Sequence, residues 1–290
     1  MKRIFLLAVC AVSFLCKISA QSQVYEIKSP DKKICFSFKV DDDRKPVYKI
    51  SVKGNSVIDW SETGYSDTQD GTADRIQALM PKSKKPLKIK EEWRPIWGKR
   101  QVVKDICTSW TIDLKTVNGG VMTLDILVYN DGVAFRNSWL SQQTGYEHTN
   151  FNFADDYTAW YYNGERHNIG PEKLSDANGE RLPLMTIKAA DDLYLALHEA
   201  DLPKEGWPMR LKSETGSAKF SVIPEKIACD LPLFMGAWRV LMVGKTPGDL
   251  VDSHLLELLN PEPQDDFSWV RPGVYLWDWR IDGAVWEGYH

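Results

Sequence analysis

Apolar and polar residues alternate with period two through most of this chain, in short runs broken by turn-forming residues. Ile34 to Val40 reads Ile-Cys-Phe-Ser-Phe-Lys-Val, Asp41-Asp42-Asp43 interrupts it, and Val47 to Val52 resumes as Val-Tyr-Lys-Ile-Ser-Val. That sequence of events predicts a hairpin. Similar runs occupy Ser109 to Leu114, Met122 to Tyr129, Gly132 to Asn137, Thr158 to Tyr161, Met185 to Lys188, Leu193 to His198, Lys219 to Ile223 and Trp238 to Val243. Asn118-Gly119-Gly120 and Asn130-Asp131-Gly132 are the turns between neighbours. About a dozen strands at this spacing, without amphipathic helices between them, predict an all-β fold built as a large antiparallel sandwich. The sheet is too extensive for an immunoglobulin-sized module.

The period changes once, late in the chain. Thr246-Pro247-Gly248-Asp249 offers an N-cap, a proline at the first helical position and an acid in the first turn. Leu250, His254, Leu255, Leu258 and Leu259 then form an apolar stripe, so a single late helix is expected over 246–259. Asn260-Pro261-Glu262-Pro263 ends it and opens an acidic linker that closes a domain spanning 21–266. Residues 267–290 start something new. Pro272-Gly273 is a turn, Val274 to Trp279 is β-prone, and alternation places Tyr275, Trp277 and Trp279 on one face. Aromatic faces of this kind fill cores and also stack on sugars, which makes Trp277 and Trp279 candidates for substrate contact.

The first twenty residues read as an export signal rather than as fold. Lys2 and Arg3 precede an apolar stretch from Ile4 to Cys16 that is too short to span a bilayer, and Ile18-Ser19-Ala20 ends in a small residue suited to cleavage before Gln21. A periplasmic or secreted protein is expected, and no later segment has the length of a membrane-spanning helix. Processing would leave Cys35, Cys107 and Cys229, an odd number without CxxC spacing, so neither a disulfide scaffold nor a thiol metal site is implied. A net charge of -4 gives no footprint for nucleic acid. The one basic run, Lys82 to Lys90, is diluted by Glu91-Glu92 and reads as a solvated strand edge or loop.

Few residues carry a chemical signal. Most paired acids, Asp41 to Asp43, Asp155-Asp156, Asp191-Asp192 and Asp265-Asp266, lie where turns are expected. Asp278 lies on the terminal strand but alternates away from its tryptophans. Glu199 is different, because it ends the apolar run Leu193-Tyr194-Leu195-Ala196-Leu197 and would stand at a sheet rim on a rigid base. His198 should face the other way. His148, His167 and His254 show no HxH or HExxH spacing, and no GxSxG, Walker or Rossmann pattern is present. Trp93, Trp97 and Trp160-Tyr161-Tyr162 could fill the sandwich or form a sugar platform.

Taken in order, several motifs resemble one family. Ser29-Pro30-Asp31 with the strand that follows, Trp93-Arg94-Pro95-Ile96-Trp97-Gly98, Asp131-Gly132-Val133-Ala134-Phe135-Arg136, His198-Glu199-Ala200-Asp201-Leu202, Gly236-Ala237-Trp238-Arg239-Val240, the helix from Thr246 and Ser268 to Gly273 are together similar to glycoside hydrolase family 97. The resemblance implies an N-terminal β-super-sandwich followed by a catalytic (β/α)8 barrel and a small C-terminal β domain. It implies exo-acting α-glucosidases or α-galactosidases that take α-linked oligosaccharides, with a calcium ion in the active site. Within it, Glu199 would be the carboxylate that the sandwich lends to calcium, completing a shell supplied mainly by the barrel.

This sequence departs from the family pattern by ending at about the first barrel strand. The expectation is therefore an N-terminal domain that shapes the substrate pocket, whose barrel carboxylates have no counterpart here and which is inactive alone. Its partners would be the missing barrel and C-terminal domain. The alternative reading is a stand-alone, non-catalytic carbohydrate-binding β-sandwich that uses exposed tryptophans. As a rim residue, Glu199 is expected to tolerate replacement by glutamine within roughly 0.5 kcal/mol of stability.

Overall fold

A computed structural model describes residues 23–95, 98–140, 145–164, 168–204, 206–227, 233–261, 265–271 and 273–274. The signal segment, Trp97, His167, Cys229 and the terminal run with Tyr275, Trp277, Asp278, Trp279 and Trp286 lie outside the described residues.

Two antiparallel layers form. The first runs in spatial order Tyr25–Lys28, Ile34–Val40, Pro46–Val52, Asn55–Glu62, Asn150–Phe153, Lys219–Val222 and Leu211–Ser213. The second runs Asn168–Lys173, Thr158–Tyr162, Glu180–Ala190, Leu193–Ala200, Trp238–Gly244, Gly132–Leu140, Val121–Tyr129 and Val103–Thr116. Ile76–Pro81 and Leu87–Trp93 both pair with the last of these, one at each end. The strand Glu180–Ala190 joins the layers: Glu180 and Arg181 pair with the first, and Met185 to Lys188 pair with the second. The expected large antiparallel sandwich is what forms.

Alternation decides which side chains meet. Ile34, Phe36 and Phe38 of the first layer and Leu124, Ile126, Val128, Val133 and Phe135 of the second point inward and pack into one core. Tyr48 is fully buried among them, with its ring 5.5 Å from Phe36 and 4.6 Å from Phe135. Its hydroxyl donates to the Asn150 carbonyl at 2.7 Å, which satisfies the one polar atom that the ring carries inside. Burying a side chain of this size stabilises the fold by roughly 1.5–3 kcal/mol.

The outer face of the second layer has a core of its own. Cys107, Tyr129, Ala134, Ala196, Ala200, Trp238, Val240 and Met242 project there and are covered by Leu250, Leu255 and Leu259. These leucines come from the expected helical stretch, which is helical in two pieces, Pro247–Asp252 and Leu255–Leu259. Thr246 and Asp249 form the reciprocal cap at the start, with the Thr246 N–H donating to Asp249 Oδ2 at 2.9 Å. Backbone N–H groups of Thr246 and Lys245 hold the Asp249 carboxyl below its usual range. The break has a local cause. Ser253 adopts an extended backbone, donates to Asp131 at 2.9 Å and accepts from the Leu255 N–H at 3.2 Å, so its hydroxyl serves the second helix as the first one ends.

Of the two cysteines described, Cys107 is buried, and burial pushes its thiol up to about 12. Cys35 is half-buried, and burial raises its thiol as well. The basic run leads into Leu87–Trp93, whose described pairing is with Val103–Thr116 alone, so it is an exposed edge strand that its lysines keep solvated.

Candidate functional site

Glu199 stands one residue from the end of Leu193–Ala200, and its Cα partner on the neighbouring strand is Arg239. Leu195 and Leu197 on the same face are core residues, so alternation turns Glu199 inward, toward the interior end of the sandwich. Its side chain is only 12% exposed, and the surface glutamate expected from the sequence is therefore mostly buried. One carboxylate oxygen accepts from Arg239 Nη1 at 2.8 Å, and both lie about one hydrogen bond from the Met209 N–H, at 3.0 and 2.9 Å.

Arg239 is the centre of the arrangement. Its side chain is 6% exposed, its Nε donates to Glu147 Oε1 at 2.9 Å, and its Nη2 donates to Glu147 Oε2. The bidentate fork matches the planar guanidinium to a carboxylate. Burial works against the Arg239 charge, but Glu147 and then Glu199 more than offset it, and the guanidinium is held above its usual range. Two carboxylates on one guanidinium leave the unit with a net charge of -1. Both Glu147 oxygens accept hydrogen bonds from Arg239, which commits this carboxyl group to the guanidinium.

Glu147 is brought there by the two-residue ladder Tyr146–Glu147 against Tyr65–Ser66. Tyr65 stacks on Trp139 at 6.1 Å and meets the edge of Phe234 at 5.9 Å. Burial, with the Glu147 charge second, keeps its hydroxyl well above the usual tyrosine range. His148, next along, is buried and contacts Ser66 Oγ at 2.8 Å and the Thr68 carbonyl at 3.0 Å. Burial lowers its pKa, against smaller upward pulls from Thr68 and Glu147. Glu147 and Arg239 border a small cleft of about 30 Å³, whose walls include Tyr65, Leu202, Trp207, Met209 and Phe234. Trp207 is 56% exposed at its rim.

The turn after Glu199 is pinned from outside. Asp201 has φ 50°, its N–H donates to Asn260 Oδ1 at 3.0 Å, and its carboxylate accepts from Arg136 Nη1 at 3.0 Å. Arg136 in turn lies over the Trp238 ring at 4.2 Å. The strand that carries Glu199 is thereby held at its end by the last helix and by a cation on an aromatic face.

Other candidates have plainer roles. His198 pairs with Val240, an outer-face residue, and faces away from Glu199 as alternation requires. Asp41 accepts from the Asp43 and Lys45 N–H groups, Asp156 from Ser175, Asp266 from the Ser268 N–H, and Asp191 and Asp192 pair with lysines. Each is turn or surface chemistry. Trp160 and Tyr162 point outward while Tyr161 is buried, so that segment divides between surface and core. Trp277 and Trp279 lie outside the described residues.

Among the described residues no three His, Cys, Asp or Glu side chains converge as a metal site. Calcium takes six to eight oxygens, and Glu199 offers one carboxylate whose side chain is 12% exposed, which at most makes it one contributor to a shell and not a whole one. Sequence reading missed Arg239 and Glu147. The available signal was the arginine itself: a charge inside Trp238-Arg239-Val240-Leu241-Met242, an otherwise apolar strand, demands a buried partner.

Comparison with known proteins places this architecture. The family model Glycosyl-hydrolase 97 N-terminal matches residues 27–262. A retaining α-galactosidase of Bacteroides thetaiotaomicron is 26% identical over 155 residues, which cover 44% of this chain and 23% of the relative. A probable retaining α-galactosidase of Streptomyces bingchenggensis is 25% identical over 245 residues, covering 81% of this chain and 38% of the relative. The fold is that of a glycoside hydrolase family 97 enzyme from Pseudoalteromonas sp. strain K8 solved with acarbose, at a TM-score of 0.70 and 24% identity over 86% of this chain and 40% of that one. A β-arabinopyranosidase superposes with a TM-score of 0.63 at 17% identity, over 76% of this chain and 40% of its own. The chain thus spans less than half the length of each of these proteins.

Proposed function

Because the chain belongs to the glycosyl-hydrolase 97 family, through the N-terminal domain that its residues 27–262 form, we propose that it is the pocket-shaping domain of an exo-acting α-glycosidase. In this role it walls one side of a site for α-linked oligosaccharides and packs against a catalytic barrel and a C-terminal β domain. Glu199 lends one carboxylate to a calcium ion whose other ligands come from outside the described residues. The ion would supply a fixed positive charge beside the scissile bond. Export to the periplasm or beyond, directed by residues 1–20, belongs to the same reading.

The observation that carries the reading is the placement of Glu199. It is a rigid, mostly buried carboxylate at the end of a core strand, held in one orientation by Arg239 and the Met209 N–H, and part of a unit with net negative charge. Hydrolysis itself needs two carboxyl groups, one of them protonated. Glu147 and Glu199 share a guanidinium instead, which suits holding a cation and not donating a proton.

One observation favours a stand-alone carbohydrate-binding role, namely the exposed indole of Trp207 at the cleft. Calorimetry separates the two. A domain that only walls a shared pocket gives no saturable heat when an α-linked trisaccharide is titrated into it. A saturable isotherm that Trp207→Ala abolishes would assign binding to this chain alone and overturn the proposal.

A further inference from the structure

Three Asn-Gly pairs lie along the chain, Asn118-Gly119, Asn163-Gly164 and Asn178-Gly179, and each glycine has a positive φ. A glycine leaves its backbone nitrogen unshielded by a side chain, and after an asparagine that nitrogen can attack the neighbouring side-chain carbonyl within the same chain. The surroundings of the pairs differ. The Gly119 N–H donates to the Thr116 carbonyl at 3.1 Å and Asn118 Nδ2 donates to Asp74 at 3.4 Å, so both reacting groups of the first pair are engaged. Asn178 is exposed, and neither its side chain nor the Gly179 N–H has a hydrogen-bond partner among the described residues.

Arg181 sets the third pair apart. Its Nη1 donates to the Asn178 carbonyl oxygen at 2.6 Å, and that oxygen belongs to the same peptide group as the Gly179 nitrogen. Removing the proton from this nitrogen spreads negative charge onto the oxygen, where the guanidinium already points. Arg181 is 6% exposed. Among the described residues its one carboxylate contact is Glu172, at 3.4 Å, and its Nε has no partner. A buried cation so thinly matched favours an anion beside it. Of the three asparagines, Asn178 alone offers its backbone carbonyl to a cation among the described residues.

We propose that Asn178-Gly179 is a site of spontaneous covalent modification, at which the Asn178 amide becomes a carboxylate with water as the only co-reactant. The Gly179 nitrogen gives its proton to solvent, and its electron pair forms a bond to Asn178 Cγ. The bond from Cγ to Nδ2 then breaks, the side-chain nitrogen leaves with a solvent proton as ammonia, and a cyclic imide remains. Water opens either imide bond, which yields aspartate or its isoaspartyl isomer. No oxidation or reduction is involved. In the isomer the backbone is one methylene longer between Ala177 and Gly179, whose carbonyls share the Ser213 hydroxyl at 3.0 and 3.2 Å. The same bend leads into Glu180 and Arg181, which pair with Lys212 and Leu211 of the other layer. The modification therefore acts where one strand joins the two layers.

The test incubates the folded full chain in mildly alkaline buffer and follows its tryptic peptides by mass spectrometry, with isoaspartyl methyltransferase labelling to count the isomer. Peptide 174–181 should convert at least about tenfold faster than the peptide that carries Asn118, whose reacting nitrogen must first give up a hydrogen bond. In urea the two rates should come within about threefold of each other, because the unfolded chain gives both pairs nearly the same surroundings. Arg181→Gln, checked for folding by its amide NMR spectrum, should slow conversion at Asn178 by at least about fivefold. The comparison of folded and urea-unfolded parent needs no substitution, so it stands even where that variant does not fold. A smaller ratio between the two peptides in the folded chain, the same ratio in urea, or no conversion at Asn178 would overturn the site. A folded Arg181→Gln that converts as fast as the parent would overturn the part given to the arginine.

Discussion

Glu199 and Arg239 are direct cross-strand neighbours whose side chains meet at 2.8 Å inside the end of the sandwich, where Glu147 closes on the same guanidinium from the other side. Neighbouring strands that carry opposite charges on one face attract each other, and burial makes this pair more demanding than a surface one. The buried cation needs its partners, and the partners are what fix the rim carboxylate in place.

Removing the cation should therefore be costly to the fold. Arg239→Met leaves two mostly buried carboxylates without a counter-charge and should destabilise the chain by about 3–5 kcal/mol. Urea unfolding followed by tryptophan fluorescence measures it. For comparison, breaking the exposed pair Lys53–Asp192 should cost no more than about 0.5 kcal/mol. Equal costs for the two would show that the Arg239 unit is as well solvated as a surface pair.

Replacing Glu199 should cost less than replacing Arg239 and more than the sequence alone implies. Glu199→Gln keeps an oxygen for the Met209 N–H and leaves Arg239 bound to Glu147, so the loss is one charge-assisted hydrogen bond, about 1.5–2 kcal/mol. A cost near zero in the same urea experiment would restore the reading of Glu199 as a solvated rim residue.

Acidification should act through His148. Burial lowers its folded-state pKa below the usual histidine value, so the unfolded chain binds a proton more readily than the folded one. Its stability contribution is complete above the unfolded pKa and is lost as pH falls from about 6.5 toward the folded value. The groups facing the ring are Ser66, the Thr68 carbonyl and the neighbouring Glu147. His148→Gln, which retains a donor and an acceptor but does not titrate, should flatten the pH dependence of the melting temperature between pH 7 and pH 5.5, roughly the window in which a histidine titrates. A slope that persists unchanged in the variant would assign it to other groups.

Much of this fold was legible because antiparallel sheets with one buried face write their period into the sequence. Ile34–Val40 begins and ends where alternation places it, and Val121–Tyr129 and Leu193–Ala200 differ only at their ends. Asn55–Glu62, Asn150–Phe153 and Leu87–Trp93 were harder to see, because polar residues and edge positions dilute the pattern. The single helix expected over 246–259 forms as two because the chain leaves helical geometry at Ser253, whose backbone N–H closes the first piece and whose hydroxyl accepts from the Leu255 N–H of the second, contacts that periodicity does not record. At the site, Glu199 stood out by ending an apolar strand. Arg239 was hidden inside a motif that reads as ordinary strand, and Glu147 sits on a two-residue ladder too short to carry a period. Contacts between residues ninety-two positions apart, such as Arg239 with Glu147, leave no local trace in a single sequence.

The central claim is that this chain shapes a glycosidase pocket without itself performing the hydrolysis. Its most direct test is the rate at which the repurified chain releases p-nitrophenol from p-nitrophenyl α-glucoside and α-galactoside, with and without calcium. The account predicts a rate no faster than buffer in all four conditions, because Glu147 and Glu199 are committed to Arg239 and form no acid and base pair. Turnover that survives repurification and disappears in Glu147→Gln or Glu199→Gln would contradict it, and would place a complete catalytic site within this domain.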